Sequence, residues 1–192
     1  AWLSQVIFAA CERWGGDEAL SNLYALVLIV TYGIYLRVFY LQTGRVILAA
    51  LGMCGVFLTV ITRNAIIRPE IFGGLCFAML VWLLVYVEPW RSNSAVIRTN
   101  HKQRSELWRW GAFFALFAVW ANLHGSFAAG LIVLAALAIG TCVEAAWHAR
   151  SIRGILTNRA ALGSLLTFEI ALVATLCNPY GIDLLLATLR FG

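Results

Sequence analysis

Charged residues and prolines are scarce in this sequence. Only 12% of the 192 residues are charged and 62% are hydrophobic, whereas soluble domains carry about 25% charged and about 45–50% apolar residues. That balance excludes an ordinary soluble domain, and it excludes a disordered chain more strongly, because disorder requires low hydrophobicity and high net charge. Three prolines and sixteen glycines likewise exclude collagen-like and proline-rich chains. The composition therefore predicts a helical protein that crosses a membrane several times.

The sequence also lacks the patterns of most soluble active sites. It contains no glycine-rich phosphate loop, no GxSxG and no HExxH, and its five cysteines form no CxxC pair. We therefore expect no metal site, and no cofactor follows from the residues. The net charge of +5 could suggest a nucleic acid partner, but the arginines lie in short loops between apolar runs. That distribution is typical of a protein whose partner is the lipid bilayer.

Continuous apolar runs, rather than alternating ones, dominate what is present. A spanning helix needs about 20 mostly apolar residues, and an open sheet edge cannot face lipid because its backbone would lack hydrogen bonds. Predicted spans cover residues 20–41, 46–62, 71–87, 110–123, 127–147 and 161–177, and residues 182–191 begin a further element. The predicted fold class is all-α, a polytopic transmembrane bundle of about six spans. The transmembrane domain would cover residues 19–192 and be truncated at both ends.

The basic residues of the loops predict an orientation for these spans. Ten of the fourteen fall on one side of the alternating spans, and the positive-inside rule makes that side cytoplasmic. Residues 88–109 would then form a cytoplasmic loop, with docking of a partner or of anionic lipid as the alternative to a solvated loop. Residues 1–18 would lie outside, where apolar positions at helical spacing predict an interfacial helix.

Three polar clusters, far apart in sequence, are predicted at the outer end of the bundle. They are Arg63-Asn64 with RPE at 68–70, WANLHG at 120–125 and NPYG at 178–181. Polar groups at membrane depth are costly unless they face protein or water. The clusters therefore predict a shared polar cavity that opens outward.

The residues of the first cluster allow two interpretations. Arg63 and Arg68 either bind a phosphate, whose oxygens a guanidinium matches in pairs, or extend to the lipid head groups. Arginines on the outer side are opposite to the positive-inside bias. Their presence there favours the interpretation that they bind a phosphate. Glu70 pairs with one of these arginines or caps the helix that it begins, where the helix dipole is positive.

The other two clusters are equally open to a structural interpretation. His124, beside Asn122 in a tight turn, either donates to a phosphate or hydrogen bonds to the backbone of the turn. Asn178 and Tyr180 either line the cavity or only end a helix, because Pro179 and the following glycine form a turn.

Glu169 is predicted to lie near the middle of the membrane. It is ten residues from Arg159 and nine from Asn178, roughly 14 Å from either boundary of its span. An ionised carboxylate at that depth would be costly, so we expect Glu169 to point into the bundle as a neutral hydrogen-bonding group. A relay for a proton or a ligand is the alternative.

The motifs, in their order along the chain, resemble a group of bacterial multipass membrane proteins. WLSQ at 2–5, Gly15-Gly16, RPE, WANLHG and NPYG are similar to segments of GT-C class glycosyltransferases, akin to protein O-mannosyltransferases and lipid A sugar transferases. The resemblance covers almost the whole chain. It implies transfer of a sugar from a polyprenyl-phosphate donor to an acceptor at the outer face of the bacterial inner membrane.

The resemblance also implies roles for particular residues. Such enzymes carry a catalytic acidic residue on the first outer loop, a general base or a metal-linked carboxylate, and this chain is expected to begin after it. A divalent metal would then belong to the full-length protein, and Asp17 is the only substitute candidate here, although helix capping explains it better. The implied contacts to donor phosphate or acceptor are Arg63, Arg68, Glu70, Asn122, His124, Asn178 and Tyr180. Two other functions stay open: a transporter or flippase with Glu169 as its relay, and a non-catalytic membrane subunit.

Overall fold

A computed structural model describes residues 2–62, 66–86 and 106–191, and these residues contain eight α-helices and no strand. The helices are α1 (Trp2–Thr43), α2 (Val46–Val60), α3 (Glu70–Tyr86), α4 (Glu106–Leu123), α5 (Phe127–Ala149), α6 (Arg153–Thr157), α7 (Arg159–Ala174) and α8 (Ile182–Phe191). The predicted all-α class is confirmed for the described part of the chain. The described loops that join these helices are short.

α1 is bent at Gly15 and Gly16. Gly16 has φ 62° and ψ −153°, a backbone conformation that is essentially restricted to glycine. The bend separates a helical segment that ends before Gly15 from a longer apolar helix that begins near Asp17. Residues 2–14 are thus helical, as expected for the segment 1–18, and their position at a membrane interface stays a prediction.

The prediction of about six spans is too high for the described helices. Two of them, α1 and α5, are long and apolar enough to cross a membrane by length and composition. α2 has 15 residues and α3 has 17, or roughly 22 and 25 Å of helix, against a hydrocarbon core of about 30 Å. The runs that predicted α2 and α3 contain 17 residues each, which is fewer than the about 20 residues that a spanning helix needs.

The described residues form two compact units. Unit 1 contains α1, α2 and α3 together with Asn122–His124, and in it α1 packs against both α2 and α3. Unit 2 contains the rest of α4 and all of α5 to α8, and in it α5 packs against α6, α7 and α8. Large side chains such as Leu80 in unit 1 and Phe113 in unit 2 are fully buried.

Small residues bring the helices of unit 2 close together. A Cβ atom at Gly130 would lie 2.5 Å from Cζ3 of Trp120 and 3.0 Å from Cζ of Phe117, and both of those side chains are fully buried. Where α5 meets α7, the hydroxyl groups of Thr141 and Ser164 hydrogen bond to each other. Gly130 is therefore required for the contact between α4 and α5.

Candidate functional site

Unit 1 joins three segments that are far apart in sequence. The Trp2 indole nitrogen donates a hydrogen bond to Oδ1 of Asn122 at 2.8 Å, across 120 residues of chain. Six residues after Trp2, the centroid of the Phe8 ring lies 5.6 Å from the centroid of the Phe72 ring, which is in the first turn of α3. The N-terminal helical segment therefore contacts both the end of α4 and the start of α3.

A second set of contacts holds the loop that leads into α3. The Tyr24 hydroxyl donates to the backbone carbonyl of Ile66 at 3.1 Å, and Tyr24 is only 9% exposed. The Glu70 carboxylate lies close enough to interact electrostatically with the same phenol. Glu70 also occupies the first turn of α3, where a carboxylate meets the positive end of the helix dipole. Tyr24 thereby holds the backbone at Ile66, two residues before Arg68.

We call Trp2, Tyr24, Arg68, Glu70 and Asn122 the unit 1 cluster. Arg68 is exposed, whereas Glu70 and Asn122 are half-buried. The cluster therefore presents one accessible guanidinium beside the N-terminus of α3, where backbone N–H groups also favour an anion.

His124 belongs to the same unit and is half-buried two residues after Asn122. Arg63 and the residues 88–105 of the expected cytoplasmic loop lie outside the described residues.

Asp17 lines a shallow, open depression of about 350 Å³ with Glu18, Ser21 and Asn22. Both carboxylates follow the bend of α1 and open its second helical segment. Acidic residues stabilise such a position through the helix dipole, without any catalytic role. Within the described residues, no three His, Cys, Asp or Glu side chains are placed to hold a metal ion together.

Asn178 belongs to unit 2, and its amide group is used by its own turn. Its Nδ2 donates to the Thr175 carbonyl at 2.6 Å and to the Gly181 carbonyl at 3.2 Å, and its Oδ1 accepts from the Tyr180 backbone N–H at 2.8 Å. The Tyr180 side chain is 55% exposed. These bonds satisfy backbone groups beyond the end of α7, which favours the helix-ending role of Asn178.

The prediction that Glu169 points into the bundle is wrong, because its side chain is exposed. The buried residues of α7 recur every three or four positions and form one stripe: Ala161, Ser164, Thr167, Ala171 and Ala174. Glu169 stands two residues from both Thr167 and Ala171, which is roughly 200° around a helix of 3.6 residues per turn. The depth argument ignored the helical face, although the face could be read from these small residues.

Two structural residues were absent from the predicted set. Asn158 caps α7, since its Oδ1 accepts from the backbone N–H groups of Ala160 and Ala161 at 2.9 and 3.1 Å. An asparagine directly before an apolar helix is a recognisable N-cap signal. No sequence signal indicated a role for Tyr24, because the sequence does not show that the apolar helix α1 lies beside the Ile66 carbonyl.

No protein-family model, curated protein or solved structure matches the chain. Three features of the chain bear on its function: the unit 1 cluster, the surfaces of the helices and the resemblance of the motifs. The last of these is a pattern of short segments, of which WLSQ and RPE belong to unit 1 together with Asn122–His124 of WANLHG.

Proposed function

We propose that the chain is the membrane part of a lipid-linked sugar transferase. It would move a sugar from a polyprenyl-phosphate donor to an acceptor at the outer face of a bacterial inner membrane. The observation that carries the proposal is the hydrogen bond that joins residues 2–5 to residues 122–124, in the same unit that contains residues 68–70. These three segments are among those on which the resemblance to GT-C glycosyltransferases depends.

The surface of α5 supports the membrane location. Ile132, Ile139, Val143 and Trp147 are 60–81% exposed and stand seven, four and four residues apart, so they form one stripe along the helix. The opposite side of α5 buries Gly130, Leu134, Ala138 and Ala145. Monomers in water rarely expose large continuous apolar patches, whereas lipid tails accept them.

α2 also has an exposed apolar surface. Val46, Ile47, Leu51 and Leu58 are all more than 60% exposed, and Ala49 is the buried residue of this helix. An apolar surface of this extent on α2 would promote aggregation in water. Burial of α2 in lipid or against another apolar surface would remove this tendency to aggregate.

Arg68 would bind the donor phosphate. Its guanidinium is exposed, and the hydrogen bond from Tyr24 holds the backbone two residues before it, which would reduce the ordering needed on binding. A guanidinium offers paired N–H donors to phosphate oxygens, and the N-terminus of α3 adds partial positive charge. His124, in the same unit, would donate a hydrogen bond to the donor or exchange a proton with the acceptor. The general base would come from the acidic outer loop that the resemblance implies.

The test is sugar transfer in vesicles by the full-length protein, with the implied acidic outer loop, and with a labelled sugar on a polyprenyl-phosphate carrier. Arg68→Ala should reduce donor use roughly tenfold or more, because a charge-assisted hydrogen bond is lost. Arg68→Lys should keep part of the activity. Arg37→Ala removes another exposed arginine, from α1, and serves as the matched control. Unchanged transfer by Arg68→Ala would overturn the phosphate contact, and loss of transfer in Asp17→Asn would instead make Asp17 the catalytic acid.

A non-catalytic membrane subunit is the second candidate, and the bonding of Asn178 favours it. All of the recorded hydrogen bonds of that amide serve the local turn, as expected where a polar motif only ends a helix. Under this alternative, Asn178→Ala lowers thermal stability and wild-type protein transfers no sugar from any polyprenyl-phosphate donor. The exposed position of Glu169 removes the observation that had favoured a transport relay.

A further inference from the structure

The chain reverses sharply where α5 ends and α6 begins. Arg150 adopts the left-handed conformation, with φ 48°, and its backbone N–H bonds to the carbonyls of Ala146 and Trp147. Gly154 is buried in the contact between α6 and α5, and a Cβ at that position would lie 2.9 Å from the Ala145 carbonyl oxygen. α6 therefore lies close against the end of α5. We call residues 147–159 the α5–α6 corner.

The α5–α6 corner presents large apolar side chains to its surroundings. Trp147 and Ile152 are both 81% exposed, and Leu156 is 71% exposed. Ile152 and Leu156 stand four residues apart and share a face. Trp147 continues the exposed apolar stripe of α5 at the end of that helix. The corner is thus apolar at the point where a helix long enough to span a membrane ends.

The same corner is strongly basic. Arg150, Arg153 and Arg159 are all exposed, and the sequence from 147 to 159 contains no acidic residue. The nearest carboxylate along the chain, Glu144, lies 3.8 Å from the imidazole of His148. Among the residues that the structure describes, none forms a recorded ion pair with any of the three arginines. Three accessible guanidinium groups therefore lie in the same short segment as an exposed tryptophan and two exposed aliphatic side chains.

We propose that the α5–α6 corner binds the head groups of anionic phospholipids. Arginines near an anionic leaflet gain free energy from its negative surface potential, and exposed apolar side chains enter the boundary between head groups and acyl chains. Tryptophan is enriched at that depth. Charge complementarity thus selects an anionic bilayer surface as the occupant. The inference rests on the membrane location in the proposed function but is independent of sugar transfer.

The experiment compares two spin-labelled lipids with the protein in phosphatidylcholine vesicles. The fractions of labelled phosphatidylglycerol and of labelled phosphatidylcholine that are immobilised by the protein give its preference for the anionic lipid. The combined variant Arg150→Gln, Arg153→Gln and Arg159→Gln should lower this preference about fivefold or more. Lysine at the same three positions keeps the charge and should retain most of the preference.

The matched control removes three arginines from scattered exposed positions. Arg13→Gln, Arg37→Gln and Arg190→Gln change the net charge equally, and they should leave the preference largely unaltered. Equal losses in both triple variants would overturn the corner as a site, because only net charge would then matter. Helix content by circular dichroism shows whether each variant is folded.

Further outcomes separate this inference from its alternatives. Loss of lipid preference on adding inorganic phosphate or an acidic peptide, at constant ionic strength, would assign the corner to a soluble anion or a protein and overturn it. Wild-type protein that enters the vesicles without any preference for phosphatidylglycerol would also overturn it. Wild-type protein that does not float with vesicles would instead refute the membrane location in the proposed function.

Discussion

The contacts inside unit 1 differ in kind from the contacts inside unit 2. In unit 1, side chains join segments that are distant in sequence, as in the hydrogen bond from Trp2 to Asn122 and that from Tyr24 to the Ile66 carbonyl. In unit 2, polar side chains mostly bond to backbone groups within a few residues, as Asn158 and Asn178 do. Helices in unit 2 approach closely through small residues instead.

This difference changes the meaning of a polar motif. A polar side chain whose partners are in its own turn stabilises that turn and has little capacity for a ligand. Asn178 is of this kind, although its motif had suggested a cavity. A polar side chain that joins distant segments marks a place where several elements converge, and ligand sites arise at such places. Asn122 is of this second kind, so unit 1 is the better place to look for a site.

The largest expected effect tests the close packing of unit 2. Gly130→Ala should destabilise the protein by about 1–3 kcal/mol, because the new Cβ would collide with the buried Trp120 and Phe117 rings. Unfolding in detergent by titration with a denaturing surfactant measures this change.

Gly140→Ala is the matched control, since it lies on the same helix with no atom within 4 Å of a new Cβ. It should stabilise by about 0.5–1 kcal/mol, as alanine does in a helix interior. A stabilised Gly130→Ala variant would show that the α4–α5 contact is looser than described.

Much of the fold could be predicted from the sequence, because helices follow from local patterns. The apolar runs located α2, α3, α5 and α7 to within a few residues, although α7 already ends at Ala174, before the turn at residues 178–181 that was predicted to end it. The number of spans was overstated because runs of 14–17 apolar residues were counted as spans, although a spanning helix needs about 20. Glu169 was misplaced because depth along a helix does not determine the face on which a residue lies.

The candidate site was predictable only in part. RPE and WANLHG were selected for their residue types, and unit 1 does contain Arg68, Glu70 and Asn122. The partners of these residues were not predictable. Nothing in the local sequence relates Trp2 to Asn122 or Tyr24 to Ile66, because such pairs depend on how whole helices pack.

The next effect concerns the cap of α7 in unit 2. Asn158→Ala should lower the free energy of unfolding by about 1 kcal/mol, because two backbone N–H groups lose their acceptor. Asn158→Asp keeps the acceptor and adds a charge that suits the helix N-terminus, so its stability should stay close to that of the wild type. Equal losses in both variants would contradict the capping role.

A smaller effect is expected for the long-range bond of unit 1. A double-mutant cycle of Trp2→Phe and Asn122→Leu should give a coupling of about 0.5–1 kcal/mol, because the bond is partly accessible to water. The cycle is needed because each single variant also changes packing. If the free-energy changes of the two single variants were additive, the hydrogen bond that joins the N-terminal segment to the end of α4 would be contradicted.

The smallest effect is expected at Glu169. Glu169→Gln should change the free energy of unfolding by less than about 0.5 kcal/mol, because the side chain is exposed and substitutions at such positions cost little. Thr167→Val, two residues away, is the contrast, since Thr167 is fully buried and its hydroxyl donates to the Gly163 carbonyl at 2.8 Å. Loss of this hydrogen bond should lower the free energy of unfolding by about 1 kcal/mol. A larger loss in Glu169→Gln than in Thr167→Val would mean that Glu169 is buried against a partner in the membrane, and it would restore the relay as a hypothesis.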